Sequence, residues 1–499
     1  MNNMKQIYYK STRGNEKLVK SAEAIARGLS ADGGLFVPTS IPKLTIGLEE
    51  LTHMKYKELA FTIMKEFLTD YSEKDIKESI DKAYDEKFDT PIIAPLVKRG
   101  EAFFLELYHG PTLAFKDMAL SILPHLLKTA VKKLNNDKEM VILTATSGDT
   151  GKAALEGFAN VEGTKIIVFF PEQGVSEIQK RQMVTQTGDN TFVIGINGNF
   201  DDAQNGVKQM LTDDSLLKRL ADNNKMFSSA NSINIGRLIP QVVYYFYAYT
   251  QLCNSGEIKI GEEINFSVPT GNFGNILAGY YAKKMGLPIK KLICASNENK
   301  VLFDFINTGT YDKVRDFVIT MSPSMDILIS SNLERLLYSI SGQDVKKIKN
   351  LMEELSVNGK YEIDSTMKKE LVDFYAGYSS EEETANAITE VYKTNNYVID
   401  THTAVSYVVY QKYLAETLDT TKTVIVSTAS PYKFTPDVMK AIDVKYTGLN
   451  DFELIKEMCK ITNIDIPAGI VDLEKRPVLH KIVCEKNKMQ IQIEKILDI

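Results

Sequence analysis

Apolar positions recur every three to four residues through "SAEAIARGL" (21–29) and "YKELAFTIMKEFL" (56–68), which predicts an N-terminal helical domain over residues 1–90. A Gly-rich break, "SADGGLFVPTSIP", separates the two stretches. From residue 91 the pattern changes to short runs of Val, Ile and Phe, each followed by a polar or Gly-containing loop and then a helical stretch. "EMVILTATSGDTGKAALEGFA", "TKIIVFFPEQGVSEIQKRQMV" and "TFVIGINGNFDDAQNGVKQML" succeed one another at roughly 25-residue spacing, the rhythm of βα units in a doubly wound α/β segment. A second series, "INFSVPTGNFGNILAGYYAKKMG", "KKLICASN" and "TKTVIVSTASPYKF", predicts a second open sheet. Between them "SSANSINIGRLIPQVVYYFYAYTQL" has a polar start and an aromatic helix, so the chain passes from one sheet domain to the other here. A cleft at that passage is where a ligand would sit.

Residues 310–400 carry long charged helices, with Ser380 placed to cap the acidic start of "SSEEETANAI". The last 60 residues mix charged and apolar positions without glycine loops and read as a small C-terminal appendage. The expected division is 1–90 for the N-terminal domain, 91–117 with 231–440 for a large domain, 118–230 for a small α/β domain, and 441–499 for the appendage.

Composition narrows the function more than the fold. A formal net charge of −6 argues against a general nucleic-acid binder, which needs a surplus of Lys and Arg. The 5 histidines and 4 scattered cysteines, without a CxxC pair, give no metal-clipping pattern. The chain opens on the polar "MNNMKQIYYK", and no run reaches the about 18 apolar residues needed to span a bilayer, so a cytoplasmic small-molecule enzyme is expected.

Three loops and one lysine carry the candidate chemistry. "TSGDTGK" (146–152) follows a strand and opens a helix, where unpaired N–H groups favour an anion, yet Thr146 and Ala153 break the pattern of a nucleotide-binding P-loop. "TGNFGN" (270–275) has the same strand-to-helix setting, with Gly271 and Gly274 permitting close backbone approach to a phosphate. "STASPYKF" (427–434) offers the Thr428 hydroxyl at a strand end. Each alone is equally explained as an ordinary α/β turn. Lys116, in "HGPTLAFKDMAL", ends an apolar run after a Gly-Pro turn; an amine kept from water is more often neutral and can condense with an aldehyde to a Schiff base. Two phosphate-shaped cups, a hydroxyl and such a lysine are the parts that hold a phosphorylated aldehyde cofactor.

The ordered blocks "STRG" (11–14), "GLSADGGLFVP", "ELYHGPTLAFKD", "LTATSGDTGKAA", "SANSINIGRLIPQVVYYF", "VPTGNFGNILAGYYAKKMGLP" and "STASPYKF" resemble the threonine synthases, pyridoxal 5'-phosphate enzymes of the tryptophan synthase β-like fold. The resemblance covers nearly the whole chain. It implies that Lys116 joins the cofactor aldehyde as a Schiff base, that Gly271, Asn272, Phe273 and Gly274 hold its phosphate with Asn275 beside them, and that Thr428 hydrogen-bonds its pyridine nitrogen. It further implies O-phospho-L-homoserine as substrate, bound by Ser147, Thr150, Asn231, Ser232 and Arg237, with L-threonine and phosphate as products and a monomer or homodimer as the assembly. This chain departs from the family in having Asn275 for the usual Asp, and "SPYKF" where "HPAKF" is common, so that Ser430 and Tyr432 stand in a loop that has lost an imidazole. His109 is expected to be a turn histidine satisfied by backbone, and His402 to pack beside the site. The rival readings are a phospho-lyase or dehydratase of the same fold that releases an oxo-acid, and a metabolite-binding protein without catalysis.

Overall fold

The computed structural model describes residues 6–14, 17–173, 175–462 and 464–499. The polar opening of the chain lies largely outside them. Within the described residues no helix is long and apolar enough to cross a membrane, and all four cysteines are unpaired thiols.

The N-terminal region forms the expected helices. In Tyr56–Phe67 the positions Tyr56, Leu59, Ala60, Ile63, Met64 and Phe67 are buried, the stripe that a 3.6-residue period requires. Two short strands were not expected: Tyr9–Ser11 pairs antiparallel with Phe36–Pro38, so "STRG" and "GLFVP" lie side by side. At three residues each, these strands are too short to leave a period-two pattern.

Two open sheets follow. The larger has six strands in the order Phe374–Tyr378, Ile289–Ser296, Ile264–Pro269, Thr423–Ser427, Ala102–Glu106 and Leu96–Arg99, all parallel except the last hairpin pair. The smaller has five parallel strands in the order Ile482–Glu485, Thr191–Asn197, Thr164–Pro171, Glu139–Ala145 and Lys225–Ser229. The long helix Ile235–Asn254 leaves the smaller sheet and is buried along most of its length, as its aromatic sequence demands. Ser380 caps Glu381–Asn395 through its side chain, which accepts from the Glu383 N–H.

The end of the chain is not a separate appendage. Ile482–Glu485 adds an edge strand to the smaller sheet in register with Ile194–Asn197, and Met489, Ile493 and Leu497 join the core beneath it. At four residues the strand is too short to show a period, and its apolar Ile482 and Val483 are exposed with only Cys484 buried, so the sequence carries no alternation to mark it.

In parallel sheets the loops that carry ligands lie beyond the carboxyl ends of the strands. Residues 107–116, 270–274 and 428–434 follow three neighbouring strands of the larger sheet; residues 146–148 and 230–234 follow two neighbouring strands of the smaller. The topology therefore turns five separated loops toward one cleft.

Candidate active site

A single cavity between the sheets is lined by Lys116, Ser147, Thr150, Asn231, Ser232, Arg237, Gly271, Asn272, Phe273, Gly274, Asn275 and Thr428, every site residue anticipated from the sequence. The loop bearing Lys116 is pinned to the loop after the last large-sheet strand. Phe115 N–H donates to the Thr428 carbonyl at 2.7 Å and Ser430 N–H to the Leu113 carbonyl at 3.0 Å, with Leu113 in the left-handed region at φ 62°. The Lys116 ammonium nitrogen lies 3.2 Å from Asp149 Oδ2 and 3.1 Å from Ser324 Oγ. Burial lowers its pKa, Asp149 opposes that shift, and the charge of Lys433 adds to the lowering.

Asp149 was not anticipated, although it stands inside "TSGDTGK". It is buried between two amines: Oδ1 is 2.7 Å from Nζ of Lys433 and accepts from Gln179 Nε2 at 2.8 Å, while Oδ2 faces Lys116. Burial alone would raise its pKa, but the two lysines hold it well below the usual carboxylate range. Lys433 is fully buried and also donates to the Thr112 carbonyl at 2.9 Å. Its setting in "PYKF" repeats the oddity of Lys116, a cation in an apolar run, and that signal could have found it.

Residues 270–274 form a turn entering the helix Gly274–Met285, whose first N–H groups have no intrahelical acceptor. Phe273 sits at φ 62°, a strained conformation for a bulky residue, and its ring packs on Phe374. Gly271 admits no side chain, since a Cβ there would meet the Ser324 carbonyl at 2.6 Å. Asn275 Oδ1 accepts from the hydroxyls of Tyr244 at 2.6 Å and Tyr245 at 2.8 Å, leaving its buried Nδ2 without a partner among the described residues. An Asp at this position would offer two acceptors to those hydroxyls and no donor; the Asn offers one of each.

The helix after the 230–234 loop adds a buried cation to the cavity lining. Arg237 is 2% exposed, donates from Nη1 to the Ala230 carbonyl at 3.0 Å, and has neither an acidic partner nor a partner for Nε among the described residues. Burial lowers its pKa to about 10, so at neutral pH it remains a charged group without a counter-ion. Ser147, Thr150, Asn231 and Ser232 line the same cavity.

His402 lies at the cavity edge, as expected, and also has a definite tautomer. Ser324 N–H donates to its Nε2 at 3.1 Å, so the proton is on Nδ1, 2.9 Å from Asp400 Oδ1. His109 differs from expectation. Its Nδ1 is 2.6 Å from Asp89 and its Nε2 2.8 Å from Glu106, so two carboxylates satisfy it, not backbone, and it does not line the cavity. Burial pulls its pKa down, but those two hydrogen bonds outweigh burial and raise it to about 9. A raised pKa stabilises the fold fully below the unfolded value near 6.5 and loses that contribution as pH rises through about 9. His109→Gln should therefore remove a decline in thermal midpoint between those limits, worth on the order of 2 kcal/mol after discounting for the exposed Asp89. Equal pH slopes in the two proteins would contradict it.

Could these residues hold the phosphorylated aldehyde that the sequence suggested? Asn275 and Arg237, each with a donor left without a partner among the described residues, the turn at 270–274 and the buried amine of Lys116 line one cavity. That donor set suits two separate anions with an aldehyde between them.

Comparison with known proteins bears on the same question. The chain matches the family model for the threonine synthase N terminus over residues 8–84, for pyridoxal-phosphate-dependent enzymes over 87–429, and for the threonine synthase C-terminal region over 403–488. Threonine synthase-like 1 of Homo sapiens is 39% identical over 487 residues, 95% of this chain but 63% of that protein, so the chain spans under two thirds of that relative's length. Threonine synthase of Saccharomyces cerevisiae is 34% identical over 92% of both chains. The crystal structure of pyridoxal-phosphate-bound threonine synthase from Brucella melitensis superposes with a TM-score of 0.86 at 35% identity over 99% of both chains.

Proposed function

The chain belongs to the threonine synthase family of pyridoxal-phosphate-dependent enzymes, and on that premise we propose that it converts O-phospho-L-homoserine and water to L-threonine and phosphate. The observation that carries this reading is Arg237: a buried guanidinium without a counter-ion among the described residues, lining the same cavity as the 271–274 turn and the Lys116 amine. One cup suits the phosphate of the cofactor and leaves the other for the phosphate of a substrate.

Gly271, Asn272, Phe273 and Gly274 would hold the cofactor phosphate through backbone amides, Asn275 would donate from Nδ2, Thr428 would meet the ring nitrogen, and Lys116 the aldehyde carbon. When bound, pyridoxal 5'-phosphate supplies an aldehyde that takes up an amine and a conjugated ring that spreads negative charge from the adjoining carbon. The remaining work belongs to the chain. Arg237, with Ser147, Thr150, Asn231 and Ser232, grips and orients the substrate anions, and Arg237 offers two parallel donors to phosphate oxygens. Lys116, whose pKa burial lowers, takes a proton from the substrate α-carbon and serves again when a β-proton moves and water adds at Cβ. Asp149 fixes the direction of its nitrogen lone pair.

The test is incubation of the purified, cofactor-loaded protein with O-phosphohomoserine, following phosphate and threonine together. Equimolar appearance of both is expected; an oxo-acid as main product, or no turnover, overturns the reading. Arg237→Gln should raise KM about 10- to 100-fold, the loss of charge-assisted hydrogen bonds worth roughly 1.5–3 kcal/mol. Because the wild-type charge is buried without a partner, the same variant should match or exceed wild type in thermal midpoint. A lowered midpoint with unchanged KM would make Arg237 a structural residue.

A further inference from the structure

The blocks "STRG" and "GLFVP" set this chain apart, yet no residue of either joins the chemistry above. Both end on one helical turn. Glu334 accepts from Thr12 Oγ1 at 2.5 Å and takes a two-pronged contact from Arg13, Nε and Nη2 each at 3.0 Å. Its neighbour Arg335, on the helix Leu333–Ile340, is among the largest fully buried side chains of the protein. Burial lowers its pKa to about 10.

The three branches of that guanidinium reach three separate segments. Nε donates to the Phe36 carbonyl at 3.0 Å, in the N-terminal strand pair. Nη2 donates to the Ile233 carbonyl at 2.5 Å, next to Asn231 and Ser232 of the cavity lining. Nη1 donates to Asn332 Oδ1. Asn332 in turn donates to the Asn272 carbonyl from its backbone at 3.1 Å and from Nδ2 at 3.0 Å, so it holds the other anion cup by the carbonyl side and leaves the amides of that turn free.

We propose that Arg335 is a positioning residue that sets the spacing between the two anion cups, with Asn332 as its arm to the cofactor cup and the Ile233 carbonyl as its arm to the substrate cup. This rests on the assignment of the cups made above. A planar fork spans three divergent carbonyl acceptors; a lysine ammonium is a point charge on a flexible stem and does not. The cofactor cup would place ligand oxygens by backbone donors and the substrate cup by Arg237 and its neighbours, so a shift of one segment against the other weakens both anions without touching the amine at Lys116.

The experiment uses the cofactor-loaded enzyme, Arg335→Lys and Asn332→Ala. It reads the cofactor concentration that half-saturates the visible absorption band, together with KM and kcat for O-phosphohomoserine. Arg335→Lys is expected to raise both half-saturation and KM about tenfold with kcat within about threefold. Asn332→Ala is expected to raise the cofactor half-saturation alone. The proposal is overturned if Arg335→Lys leaves both within about twofold or alters kcat only, and equally if Asn332→Ala leaves cofactor affinity unchanged or raises KM as much. Should Arg335→Lys fail to fold, the Asn332→Ala split decides. A wild type that takes up cofactor but forms no threonine sinks the substrate assignment, and the cofactor titrations still decide the brace.

Discussion

Lys116→Ala is expected to lower threonine formation by roughly 10³-fold or more while leaving the protein folded. Two amines are buried here, and the structure distinguishes them. Lys433 is enclosed, with its nitrogen fixed 2.7 Å from Asp149 and 2.9 Å from the Thr112 carbonyl, and it does not reach the cavity. Lys116 lines the cavity and its pKa is lowered. Of the two, Lys116 is the amine a ligand in the cavity can reach. The measurement is turnover together with borohydride reduction of the loaded enzyme and mass analysis of its peptides. Label on the peptide containing Lys116, absent from the variant, is expected. Label on Lys433, or a variant that keeps a tenth of the activity, would refute the assignment. Asp149 keeps Lys433 as its counter-ion when the Lys116 amine is removed, so no large loss of thermal midpoint should accompany the loss of rate.

How much of this could be read in the chain? The parallel-sheet rhythm placed the 146–152, 270–275 and 427–434 loops after strands, and Lys116 stood out as a cation after a Gly-Pro turn in an apolar run, whereas Ser147, Thr150, Asn231, Ser232 and Arg237 came only with the family resemblance. What escaped was pairing across long sequence distance. Asp149 and Lys433 are 284 positions apart by their numbers, and Arg335 reaches Phe36 across 299. No local period encodes such contacts. Ser324 joins the site from an irregular stretch after Thr310–Asp312, with no motif to mark it. Phe273 at positive φ was hidden for another reason: in "TGNFGN" the glycines drew attention, but the left-handed position is taken by the bulky residue between them. His109 was misread because Asp89 lies 20 residues away, and the two carboxylates meet only in the fold.

Asp149→Asn is the second large effect expected, and it should strike stability and rate together. With the carboxylate gone, Lys433 keeps a buried charge with no counter-charge, only the neutral amide oxygen at 149 and the Thr112 carbonyl as acceptors; breaking one side of a buried pair destabilises by roughly 3–5 kcal/mol. Lys116 loses the partner that aims it, and a misdirected base costs about 10²-fold in rate. The two losses separate in the double variant Asp149→Asn with Lys433→Met, where the orphaned charge is also removed: thermal midpoint should recover most of its fall and kcat should not. Acid titration supplies an independent check. Because the lysines hold the Asp149 carboxylate below its usual range, its contribution is present above the unfolded value of about 3.9 and is lost as pH falls toward the depressed folded value. The double variant should therefore unfold less steeply with acid than wild type. If midpoint and rate recover together, Asp149 acts only through packing; if neither recovers, Lys433 serves a purpose beyond balancing its charge.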